Sequence, residues 1–133
     1  MKKVSTNWKG EDYPHEGFVQ KALERYFSSQ NYCFLRENHT DLVCVKEESQ
    51  EKWVIEAEGK TTSVGLDFRT GLGQLVQGMQ EQRVNYALAM PDIPQFVTQT
   101  KKLAPWLRRT LNLYLIFVDE AGRLRFAAPA DTL

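Results

Sequence analysis

Residues 41–60 read Asp-Leu-Val-Cys-Val-Lys-Glu-Glu-Ser-Gln-Glu-Lys-Trp-Val-Ile-Glu-Ala-Glu-Gly-Lys. The apolar content falls into two short runs, 41–45 and 53–58, rich in β-branched and aromatic side chains. The polar residues 47–51 part them, which is the pattern of a β-hairpin. A turn centred on Ser49-Gln50 sets Glu47 opposite Lys52 and Asp41 opposite Glu58. Side chains alternate along a strand, so Glu56, Glu58 and Lys60 share a face with Asp41, while Leu42, Cys44, Trp53, Ile55 and Ala57 share the other. The second set is core material. The first gathers three carboxylates and one ammonium, and like charges placed opposite each other are destabilising. Two things would offset the repulsion: a hard divalent cation such as Mg²⁺, which takes one or two carboxylates plus waters and phosphate oxygens, or Lys60 alone. Glu and Lys alternating on a plain solvated strand give the same pattern.

Outward from the hairpin, the chain alternates between the two structural periods. Before it, Phe18, Val19, Ala22, Leu23, Tyr26 and Phe27 form one stripe at helical spacing, with Pro14 at the start and Gln30-Asn31 at the end. Residues 32–35 read as a further strand. After the hairpin, a Gly/Thr/Ser connector spans 59–65. A second helix is predicted over 66–82, with Phe68, Leu72, Leu75, Val76 and Met79 on its apolar stripe. Residues 86–90 form a strand stopped by Pro91. A helical stretch over 95–111 is interrupted at Pro105, which kinks or splits it. Residues 113–118 and 123–126 form a closing hairpin. The order is α-β-β-β-α-β-α-β-β. The fold class is α/β with a mixed central sheet, in a single domain spanning 1–133: an N-terminal arm (1–13), a core (15–90), and a C-terminal helix and hairpin (91–133).

A chain of 133 residues fits one such domain, and 42% hydrophobic residues is enough for a core, which excludes global disorder. No stretch approaches the roughly 18 apolar residues of a membrane helix. The N-terminus carries no apolar run of the signal-peptide kind, so a cytoplasmic protein that does not enter membranes is expected. Seventeen basic and seventeen acidic residues cancel. Residues 1–94 hold 11 Lys/Arg and 14 Asp/Glu, residues 95–133 hold 6 and 3. A uniformly basic nucleic-acid binder is excluded, a local basic patch is not. Cys33 and Cys44 lie in apolar runs without metal spacing and read as two buried thiols.

Asp41, a hairpin, and then Glu58-Gly59-Lys60 within an α-β-β-β-α-β order resemble the PD-(D/E)XK nuclease superfamily, the restriction-endonuclease-like fold. The resemblance spans about 15–90. It implies that Asp41 and Glu58 hold Mg²⁺ (Mn²⁺ substituting), joined by the carbonyl of Gly59, and that Lys60 is the catalytic lysine. It also places Glu16, at the start of the first helix, beside a second ion, and Gln74 as a group that orients the nucleophile or Lys60. Helix geometry agrees on Glu16, about 70° from the centre of the apolar stripe, against about 150° for Glu24. Thr40 stands where a proline often precedes the acid, and Gly78 where the QxxxY pattern of some branches has tyrosine.

The function this implies is metal-dependent hydrolysis of phosphodiester bonds, with DNA as the expected polymer and a homodimer or larger complex as the working form. A nucleic-acid-binding or assembly module that keeps the fold without catalysis is the alternative. An α/β domain with solvated carboxylates is the third reading. His39 shares a strand face with Asp41. His15 and Arg69 are weaker phosphate candidates. Lys101, Lys102, Arg108 and Arg109 make one basic edge if Pro105 leaves the helix whole.

Overall fold

The computed structural model describes residues 10–37 and 40–133. Most of the N-terminal arm, residues 1–9, and His39 lie outside the described residues.

Helix α1 (Glu16–Ser29) leads into strands β1 (Cys33–Leu35), β2 (Leu42–Lys46) and β3 (Glu51–Ala57). Helix α2 (Val64–Gln77) and strand β4 (Asn85–Pro91) follow. Helices α3 (Pro94–Thr100) and α4 (Pro105–Leu111) precede a closing hairpin of β5 (Leu113–Val118) and β6 (Leu124–Ala127). The six strands form one sheet in sequence order. β3–β4 and β4–β5 are parallel and the other pairs antiparallel, so the sheet is mixed. The expected α-β-β-β-α-β core order and the closing hairpin are present.

Each face of the sheet carries a helix layer. Leu42, Cys44, Trp53, Ile55 and Ala57 pack with Val19, Ala22, Leu23 and Phe27 of α1, which fulfils the alternation read from the hairpin. Val43, Val54, Leu88 and Met90 pack on the other face with Phe68 and Leu75 of α2 and Phe96 of α3. The carboxylate face is therefore covered by helices rather than solvated along its length.

Three local expectations are corrected, at the hairpin turn, the end of α2 and Cys33, and Pro105 takes the second of its two expected outcomes. The hairpin turn is a four-residue loop over 47–50, not a two-residue turn. The Gln50 N–H donates to the Lys46 carbonyl at 2.7 Å, and Gln50 takes φ 62°. Such a loop places one residue in the left-handed region, whereas a tight type I′ turn needs two, which Ser-Gln does not favour. Lys46 therefore pairs with Glu51 and Val45 with Lys52, so Glu47 does not face Lys52. Lys52 instead bridges Glu37 at 2.9 Å and Glu81 at 2.8 Å. A shift of two residues keeps every side chain on its face but changes its partner.

α2 ends at Gln77, with Gly78 as its C-cap, earlier than the stripe implied. The Tyr86 hydroxyl donates to the Glu81 carbonyl at 2.7 Å and accepts the Glu81 N–H at 3.1 Å, holding that backbone outside any helix. Pro105 splits the 95–111 stretch in two, each half opening on proline. Arg108 then turns inward, 1% exposed, and donates to the carbonyls of Ala128 and Asp131. It belongs to no basic edge. Finally, Cys44 is buried but Cys33 is exposed on the edge strand β1.

Candidate functional site

The end of β3 runs between the starts of α1 and α2, and a cavity of about 1070 Å³, open to solvent, lies there. Glu16, Asp41, Glu58, Gly59, Lys60 and Gln74, the whole candidate set, line it. His15 lines it too, as the N-cap of α1. Arg69 is exposed and is not among the lining residues.

Close backbone approach builds the cavity floor. A Cβ on Gly59 would overlap the backbone of His15 and Glu16. Only glycine lets the chain leave β3 directly against the first turn of α1. One residue later, the Lys60 N–H donates to the Pro14 carbonyl at 2.9 Å. Pro14 thus lies in this backbone contact and not in the first turn of α1, which starts at Glu16. The connector beyond is fixed by Asp67 of α2. Its carboxylate accepts from the Thr61 N–H at 3.1 Å and the Thr61 hydroxyl at 2.7 Å.

The residue across the ladder from Asp41 differs from the one read in the sequence. Leu42 pairs with Ile55, so one step further along the antiparallel ladder Asp41 lies opposite Glu56, not Glu58. Asp41 is held at both ends. Its carbonyl accepts from the Gln20 side chain of α1 at 2.9 Å, and its Oδ2 accepts the Ala57 N–H at 2.9 Å. Glu56, which no motif had singled out, is 6% exposed. Burial pushes its carboxyl up to about 8, helped by the charge and hydrogen bond of Asp41 and by the charges of Glu58 and Glu16. Glu56 was legible on the carboxylate face, but only the true register shows it as the partner of Asp41. Glu58 sits just past β3, where its N–H donates to the Ala89 carbonyl at 2.8 Å. Its carboxylate lies over Gly71 of α2, where an added Cβ would come within 2.6 Å of Oε2.

The lining is strongly acidic. Among the described residues it holds the acids Glu16, Asp41, Glu56, Glu58 and Asp67 against the single lysine Lys60. Both flanking helices begin here, and the partial positive charge at a helix start offsets about 0.3–1 kcal/mol of such repulsion. Among the described residues no group of three or more His, Cys, Asp or Glu side chains is arranged to hold a metal ion. Nor is any helix there long and apolar enough to cross a membrane. Comparison with protein-family models, with curated proteins and with solved structures found no match.

Proposed function

We propose that this cavity is the active site of a metal-dependent phosphodiesterase of the restriction-endonuclease-like kind, acting on nucleic acid, DNA in the first instance. The observation that carries the reading is the Asp41–Glu56 carboxylate pair at the end of β3, in a cavity that also holds Lys60. The α-β-β-β-α-β order around a mixed sheet supports the fold assignment. The pair replaces Asp41–Glu58 as the centre of the site.

The donor set fits Mg²⁺. The oxygens are hard, two carboxylates are adjacent, and burial, reinforced by the neighbouring acids, holds Glu56 protonated well above the usual carboxylate range. Mg²⁺ is commonly held by one or two protein carboxylates with the substrate phosphate supplying further oxygens, so a closed cage of three is not required. Asp41 and Glu56 would hold the ion, with Glu58, Glu16 and the Gly59 carbonyl within the same cavity. When bound, the ion supplies Lewis-acid stabilisation of the phosphate and a lowered pKa for water. Lys60, an ammonium without a lone pair for a metal, stabilises the negative charge that develops on the phosphate. Gln74, on the exposed face of α2 at the cavity rim, orients the attacking group.

A non-catalytic binding or assembly module is the second reading, and the absence of three converged donors among the described residues favours it. Single-turnover cleavage of labelled single-stranded, duplex and branched DNA and of RNA, with Mg²⁺ or Mn²⁺, separates the two. Cleavage that disappears in Asp41→Ala and in Glu56→Ala is expected. No cleavage of any substrate by the unaltered protein would leave the binding module as the better reading.

A further inference from the structure

α2 packs on the sheet through Phe68, Gly71 and Leu75, spaced three and four residues apart on one face. Two of these are large side chains. The third is glycine, the weakest helix former after proline, at a buried position. Its space is taken by Glu58, the residue just past β3. A Cβ on Gly71 would lie 2.6 Å from Cγ and Oε2 of Glu58 and 2.8 Å from Cδ. Real Cβ atoms do not approach that closely, so the whole carboxylate would have to leave.

The obstacle is the far end of a flexible side chain. That sets Gly71 apart from Gly59, whose added Cβ meets the backbone of α1. An alanine at 59 displaces a helix. An alanine at 71 displaces only a carboxylate and leaves the fold intact. Gly73, two residues on, has nothing within 4 Å of an added Cβ. It would bring the same gain in helix propensity with no displacement, and so serves as an internal control.

We propose that Gly71 is a positioning residue. By omitting a side chain from the sheet-facing stripe of α2, it seats the Glu58 carboxylate in the acidic cavity, where it contributes to a divalent-cation site. The seat itself stands on geometry alone. Its bearing on cation binding rests on the function proposed above.

Two measurements on the full chain test the two parts separately. The first is urea unfolding in EDTA of Gly71→Ala and Gly73→Ala, each with Glu58 intact and in a Glu58→Ala background. Gly73→Ala is expected to raise the midpoint equally in both backgrounds. Gly71→Ala is expected to match it only in the Glu58→Ala background and to gain less, or lose, with Glu58 present. Equal behaviour of Gly71→Ala in both backgrounds would overturn the seat. The second is the Mn²⁺ concentration that half-saturates the rise in melting temperature. Gly71→Ala should need at least tenfold more Mn²⁺, and Gly73→Ala the same as the unaltered protein. An unchanged requirement in Gly71→Ala would overturn the positioning role. If the unaltered protein shows no response to Mn²⁺, the cation role of the seat is overturned along with the proposed function, while the urea cycle still decides the seat.

Discussion

Lys60 and Glu56 carry opposite kinds of information about the cavity. Lys60 lines it without being able to ligate a metal when protonated. Lys60→Ala is therefore expected to cut cleavage by about a hundredfold or more, the roughly 3 kcal/mol of one charge-stabilising donor. It should leave the Mn²⁺-induced rise in melting temperature in place. Asp41→Ala should lose both. Cleavage by Lys60→Ala at the unaltered rate would remove the lysine from the mechanism. Glu56 is the residue whose protonation the fold controls. Its carboxyl moves from an ordinary value of 4.5 up to about 8. Between those two values the folded state keeps a proton that the unfolded chain has released. This contribution to stability is full below pH 4.5 and is lost as pH rises through about 8. In EDTA, Glu56→Gln should match the unaltered protein near pH 4 and exceed it by roughly a few kcal/mol above pH 8. Urea unfolding across that range measures the difference. A constant offset would mean that burial and the neighbouring acids do not hold Glu56 protonated.

At the scale of elements, the junction of β3 with α1 and α2 sets the geometry of the site. Gly59 lies two residues past the end of β3, and its neighbour on α1 is backbone. Gly59→Ala forces the first turn of α1 away from the sheet. Overpacking of this kind costs on the order of 1–3 kcal/mol, and moving α1 also takes Glu16 with it. The melting temperature should fall, and the fall should persist in Glu58→Ala, unlike any effect at Gly71. The β2–β3 turn shows how one loop alters the chemistry of a site. A four-residue loop in place of a two-residue turn moves the partner of Asp41 from Glu58 to Glu56 without turning any side chain to the other face. At the other end of the chain, Pro105 does more than bend a helix. It starts a new one, and the new direction buries Arg108 under the carbonyls of Ala128 and Asp131.

For the molecule as a whole, charge bears on how the proposed polyanionic substrate would reach the cavity. The chain is neutral overall, and the described lining holds several acids for one lysine. The breaking of the proposed basic edge removes a route by which lysines and arginines on one helix would have compensated. Binding of duplex or single-stranded DNA should therefore depend on a divalent cation. Fluorescence anisotropy with labelled DNA should show tighter binding in Mg²⁺ or Ca²⁺ than in EDTA, and Asp41→Ala should abolish the difference. Tight binding in EDTA would place the nucleic-acid contact on a different surface.

Local pattern alone specified most of the elements and the direction of their faces. Strand alternation and the helical stripe depend on neighbours a few residues away, and burial rewards the same side chains in any register of the same parity. Pattern also brought Asp41, Glu58 and Lys60 forward, the family resemblance added Glu16, Gly59 and Gln74, and one cavity unites them. The tertiary structure alone decided which carboxylate meets Asp41. The register depends on the loop conformation over 47–50, and two registers that differ by two residues present the same apolar face. It alone decided that α2 ends at Gln77, where a hydroxyl from β4 takes the backbone groups a further turn would have used. It also decided that the carboxylate face is covered. Glu56 becomes a buried acid only when α2 closes over the sheet, and no spacing within 41–60 records that this helix lies on its side.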